Sequence, residues 1–141
     1  MQRCPCCNAR LKSDPQCPRC GADLAGALHC EQLAQTWMSV ALQTLNAGQA
    51  DIAVAALQRS LSFKQTPAAR LFRDFLIQQQ YRLLYDSIGQ KQWPAARQAI
   101  ARLQRLMGDN EALQRFVALV GHLAADCDDP PSSNHEPLPN E

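Results

Sequence analysis

A chain of 141 residues and 15.6 kDa is long enough for one compact domain and a small appendage. Its 46% hydrophobic and 19% charged content argues for a folded body, and a net charge of +1 argues against bulk electrostatic binding of nucleic acid or of an anionic membrane. Seven cysteines, an odd number, cannot all pair within one chain.

The first segment, Met1-Gln2-Arg3-Cys4, has no apolar stretch of the kind a secretory signal needs. The best charge-free window, residues 32–50, carries too many Gln, Ser, Thr and Asn residues to sit in lipid over the roughly 20 residues of a membrane span. The expectation is a cytoplasmic protein without membrane insertion. In that reducing compartment, clustered cysteines are metal ligands more readily than disulfides.

Residues 1–23 hold five of the seven cysteines, three prolines and no aromatic residue, and nothing in them suggests a core. Their pattern is Cys4-Pro5-Cys6-Cys7, nine residues, then Cys17-Pro18-Arg19-Cys20-Gly21. Two cysteines separated by two residues in a tight turn aim both sulfurs at one ion about 2.3 Å away. Backbone N–H groups in such a turn point at the thiolates. Pro5 and Pro18 preset φ, Gly21 permits a positive φ, and Asn8 stands where the first turn would have glycine. Four thiolates at two knuckles make a closed tetrahedral site, most often structural zinc. Such an ion contributes on the order of 10–16 kcal/mol to a segment that cannot fold unaided. The link between the knuckles is expected to turn around Ser13-Asp14-Pro15.

These residues resemble a zinc ribbon of the kind with a C-P-x-C knuckle at each end. The resemblance covers residues 1–23 and implies one structural zinc ion held by Cys4, Cys7, Cys17 and Cys20. Cys6 departs from the pattern: it lies one residue from Cys4, too close for knuckle spacing, and is left out of the ligand set. The same ligand types would serve a rubredoxin-like iron or a redox dithiol. Iron sites usually have shielding aromatics and redox dithiols a βαβ context, and neither is evident here. Cys30 and Cys127 read as small half-buried thiols, His122 as a histidine at the edge of the core.

Residues 24–125 are rich in Ala, Leu and Gln and predict five helices. The first covers 24–47, with Leu28, Leu33, Trp37, Val40, Ala41, Leu42 and Leu45 at helical spacing and Gly48 as its stop. The second runs over 51–63 with Ala53, Ala56, Leu57 and Ser60 on one stripe. Thr66-Pro67 opens the third as cap and first helical residue, Gly89 closes it, and its wide apolar arc includes Leu71, Phe72, Phe75, Leu76, Ile77, Tyr81, Leu84, Tyr85 and Ile88. Trp93-Pro94 opens the fourth, with Ala96, Ala99, Ile100 and Leu103 inward. Gly108-Asp109 is read as a stop and a cap before the fifth, whose Leu113, Phe116, Val117 and Val120 cover the last groove.

The stripe Ala53, Ala56, Leu57, Ser60 recurs 43 residues later as Ala96, Ala99, Ile100, Leu103. The turns opening at Gly48 and at Gly89 correspond with a two-residue difference in length. With a small residue near the start of each second helix, this resembles a degenerate tetratricopeptide repeat, although it departs from that family's period of about 34 residues. The resemblance implies stacked helix pairs with a groove for a protein or peptide. A plain five-helix bundle is the alternative, and both are all-α.

The organisation expected is thus a zinc ribbon at 1–23, a helical repeat-like domain at 24–125 and a disordered acidic, proline-rich tail at 126–141. The tail carries five acidic residues and no Lys or Arg, against ten basic and six acidic residues in the helical body. No phosphate loop, no H-E-x-x-H and no G-x-S-x-G occurs, and the carboxylates are scattered, so the chain is expected not to be an enzyme. The function expected is a zinc-binding interaction adaptor, for instance an assembly or maturation factor for a bacterial protein complex. Two other readings stay open: a nucleic-acid-associated ribbon using Arg3, Arg10, Lys12 and Arg19, and a thiol redox or metal-handling protein using Cys6 and Cys7.

Overall fold

The computed structural model of the chain describes residues 1–12 and 14–128, with side chains to Asp126. The fold is all-α with a small cysteine-rich N-terminus. Among the described residues five helices follow it: α1 (Ala25–Asn46), α2 (Ala50–Phe63), α3 (Pro67–Gly89), α4 (Trp93–Met107) and α5 (Glu111–Asp128). Among the described residues there is no β-strand, only two isolated antiparallel bridges in the N-terminal segment. None of these helices is long and apolar enough to cross a membrane. The chain divides into two compact units, Met1–Gln79 and Gln80–Glu141, with the boundary inside α3. The tail expected from residue 129 onward and the Cys127 side chain lie outside what is described. Residues 126–128, expected in the tail, continue α5.

In the first unit α1 packs on α2 along a seam of small residues. Ala34 and Ala41 of α1 are buried, as are Ala53, Ala56, Leu57 and Ser60 of α2. Small side chains let two helix backbones approach closely, and Ser60 uses that proximity: its hydroxyl donates to the Ala34 carbonyl at 2.7 Å. A buried hydroxyl left without such a partner would cost about 1–3 kcal/mol. In the second unit Ala96, Ala99, Ile100 and Leu103 of α4 and Leu113 and Val120 of α5 are buried. Tyr81, Tyr85 and Phe116 form an aromatic cluster there, with the Tyr85 and Phe116 rings edge to face at 5.7 Å.

The 43-residue recurrence extends through the turns, in a register that differs from the expected one. The Gln49 N–H donates to the Thr44 carbonyl at 2.9 Å, and the Gln92 N–H to that of Ser87 at 2.8 Å. Gly48 donates to Leu45 at 3.0 Å, and Lys91 to Ile88 at 3.1 Å. Gly48 has φ 75° and Lys91 has φ 57°. The counterpart of Gly48 is therefore Lys91, the two turns have equal length, and Gly89 is simply the last residue of α3. Matching glycine to glycine misplaced the turn because a lysine occupies the left-handed position, which glycine fills at no steric cost.

The helix starts follow side-chain chemistry. The Thr66 hydroxyl accepts the Ala69 N–H at 3.1 Å, as a cap should. Before α5 the cap is Asn110, whose Oδ1 accepts the Leu113 N–H at 3.0 Å, and Asp109 instead accepts from the Gln114 amide at 3.2 Å. The apolar arc of α3 is only partly covered: Leu76 and Leu84 are buried, while Leu71, Phe75 and Tyr85 are exposed. Val117 of α5, expected inward, is also exposed, and Gln80 is buried.

The equivalence of Gly48 and Lys91 makes opposite substitutions informative. Lys91→Gly should stabilise the protein by about 0.5–1 kcal/mol, and Gly48→Lys should destabilise it by about 1 kcal/mol. Nothing within 4 Å would crowd a Cβ at Gly48, so the backbone conformation alone is tested. Urea denaturation of both variants checks this, and an unchanged midpoint for Lys91→Gly would contradict the register.

Candidate metal centre

The N-terminal segment consists of two arms built alike and offset by 13 residues. C-P-x-C-x-A-x-L occurs at Cys4-Pro5-Cys6-Cys7-Asn8-Ala9-Arg10-Leu11 and again at Cys17-Pro18-Arg19-Cys20-Gly21-Ala22-Asp23-Leu24. The hydrogen bonds repeat with the sequence. Cys4 N–H donates to the Ala9 carbonyl and Cys17 N–H to that of Ala22, both at 2.9 Å. Asn8 N–H donates to Cys4 O at 2.9 Å and Gly21 N–H to Cys17 O at 2.8 Å. Asn8 and Gly21 reverse the chain with φ 57° and 70°, so asparagine serves where glycine would, as expected. The antiparallel bridges Arg3–Arg10 and Gln16–Asp23 close the two arms. Chain reversal occurs inside each knuckle, where the left-handed residue allows it, and Ser13 of the turn expected at Ser13-Asp14-Pro15 lies outside the described residues.

The arms face each other through their cysteines. The sulfurs of Cys4, Cys7, Cys17 and Cys20 all lie within 4.8 Å of one another. Cys4 Sγ is 3.7 Å from Cys20 Sγ, and Cys7 Sγ is 3.5 Å from Cys17 Sγ. A tetrahedron with metal–sulfur bonds of about 2.3 Å has sulfur–sulfur edges of about 3.8 Å, so this cluster can hold a metal ion with little adjustment. None of these residues forms a disulfide. Among the described residues this is the one group of three or more His, Cys, Asp or Glu side chains with metal-ligand proximity. Cys6 is exposed and outside the group, in keeping with its exclusion.

The electrostatics of the four thiols are divided. The backbone N–H groups of Cys20 and then Arg19 hold the Cys17 thiol down to about 6. Those of Cys7 and Cys6 lower Cys4, against the effect of burial. Cys7 and Cys20 go the other way. The N–H of Ala9 favours the Cys7 thiolate, but burial and the contact with Cys17 outweigh it. The Ala22 N–H likewise favours a Cys20 thiolate, but contacts with Cys7 and Cys17 push this thiol up to about 12. Four negative sulfurs do not share this space unaided, and a divalent cation at their centre would remove the opposition.

A small core surrounds the cluster. Cys4, Cys17 and Leu24 are buried, and Cys7, Ala9, Leu11, Ala22 and Leu28 pack against them. Residues 1–23 therefore do contribute to a core, which is completed by Leu24 and by Leu28 in the first turn of α1. Sequence reasoning missed these residues, although the repeated alanine and leucine were visible signals. Nearby, Glu31 of α1 accepts from Lys64 Nζ at 2.7 Å and from the Met1 amino group, and the Lys64 hydrogen bond foremost lowers its carboxyl pKa. Two other readings are corrected. Cys30 is exposed rather than half-buried. His122 is 75% exposed, with Nε2 at 3.6 Å from Asp126 on the outer face of α5.

No protein-family model, curated protein or solved structure matches the chain.

Because the cluster shares its core with α1, removal of a metal held there should be felt beyond residues 1–23. Chelation is expected to raise amide exchange in residues 1–31 while α2 and α4 keep their protection, with only a small loss of helical circular dichroism. Unchanged exchange at Leu24 and Leu28 would contradict the shared core.

Proposed function

We propose that Cys4, Cys7, Cys17 and Cys20 hold one structural zinc ion and that the chain is a non-enzymatic, cytoplasmic protein-interaction adaptor. The observation that carries this reading is the convergence of four sulfurs within 4.8 Å in a core of Leu and Ala side chains. Four protein ligands leave no open position for water or substrate, which is the structural rather than the catalytic arrangement. Zinc is favoured over iron because residues 1–23 contain no aromatic side chain to shield a redox centre.

The helical part supports the adaptor reading through its repetition. Helix pairs of tetratricopeptide-like type leave grooves for a peptide or a protein helix. A cavity of about 340 Å³ lies between α1 and the start of α3, lined by Ala34, Gln35, Met38, Ser39, Thr66 and Ala68. Farther along α3, Leu71 and Phe75 are apolar and exposed, as surfaces kept for a partner are. The role that fits is assembly or maturation of a larger complex.

Protein purified from its host under reducing conditions, without added metal, should carry one zinc atom per chain by elemental analysis. Ser39→Arg, which fills the cavity, should abolish co-purification of the partner while leaving zinc in place. Iron, or well under one metal atom per chain, would contradict the zinc assignment. A partner retained by Ser39→Arg would contradict the groove.

A further inference from the structure

The 13-residue duplication allows each position of the first arm to be compared with its counterpart in the second. Ligands, prolines, alanines and leucines agree. The bridge pairs do not: Arg3 lies opposite Arg10, whereas their counterparts are Gln16 and Asp23. Like charges directly opposite on a bridge repel, so this pair opposes folding. The second arm forms the same bridge without it. The bridge therefore does not require the paired arginines.

Both arginines are exposed, and with Gln2 and Leu11 they line an open cavity of about 320 Å³. Arg3 Nη1 donates to the Asn8 carbonyl at 3.4 Å, and no carboxylate among the described residues forms an ion pair with either side chain. Their remaining guanidinium donors are available. Lys12 follows in the same arm, also exposed. A planar guanidinium fork matches a carboxylate or a phosphate in two-pronged geometry.

We propose that the Arg3–Arg10 face is a carboxylate-binding site that docks an acidic segment of a partner protein, with Leu11 seating an apolar side chain beside the carboxylate. This rests on the adaptor reading and adds the chemistry of the partner. An acidic peptide is favoured over nucleic acid on three grounds. Residues 1–23 offer no aromatic ring for a base to stack on. The whole chain carries only +1, which is little for a polyphosphate track. One wall of the cavity is apolar, at Leu11, which suits a peptide side chain.

The second arm supplies the control. Arg3→Gln with Arg10→Asp writes the residues of the second arm into the first and leaves every ligand untouched. Binding is measured by fluorescence anisotropy on the full-length, zinc-loaded chain over a salt series. The probes are a labelled Glu-Leu-Glu-Glu-Leu-Glu peptide, its Gln-for-Glu analogue and a duplex DNA. The Glu peptide should bind, weaken with salt, and lose roughly tenfold or more in affinity in the double variant, while the Gln analogue does not bind wild type. Zinc content and helical circular dichroism should be equal in both proteins. Absence of Glu-peptide binding to wild type, equal binding to the variant, or tighter binding of the duplex that the variant abolishes would each overturn the proposal. Zinc per chain, determined on the same samples, tests the metal assignment separately, so failure of one is not mistaken for failure of the other.

Discussion

Four thiol groups brought within 4.8 Å of one another are an electrostatic problem that the rest of this protein's N-terminus is built around. Backbone N–H groups draw Cys4 and Cys17 toward the thiolate, while burial and the neighbouring sulfurs hold Cys7 and Cys20 toward the thiol. A divalent cation placed at their centre would turn this opposition into cohesion, because each sulfur would then face positive charge. The apolar shell of Ala9, Leu11, Ala22, Leu24 and Leu28 closes around that point and merges with the first turn of α1. The cysteine-rich segment and the first helix share one small core.

Duplication recurs at two scales. Arms offset by 13 residues build the cysteine cluster, and helix–turn–helix segments offset by 43 build the body. In both cases a left-handed residue marks the turn: Asn8 and Gly21 in the arms, Gly48 and Lys91 between helices. Positions that differ between copies carry the individuality of the protein. Arg3 and Arg10 against Gln16 and Asp23 are the sharpest case, because backbone geometry is held constant while charge changes.

The cluster of Cys4, Cys7, Cys17 and Cys20 was legible in the sequence because knuckle geometry is local: two residues between cysteines and a proline after the first bring sulfurs together whatever follows. The five helices were legible from apolar periodicity and from Thr66, Pro67, Trp93 and Pro94, which begin helices by local chemistry. The core role of Leu24 and Leu28 was not, because it depends on how the arms meet α1. The turn register was missed because Lys91 occupies a conformation that composition assigns to glycine. Asp109 and Asn110 are both good caps, and only the path of the chain selects the second. The exposure of Cys30 and His122 and the burial of Gln80 are tertiary outcomes that no single-helix pattern encodes.

The proposed zinc centre requires four sulfurs on one ion. X-ray absorption spectroscopy at the zinc edge of the purified protein measures this directly. The expected result is a single shell of four sulfur scatterers at about 2.3 Å. A shell containing nitrogen or oxygen ligands, or fewer than four sulfurs, would contradict it.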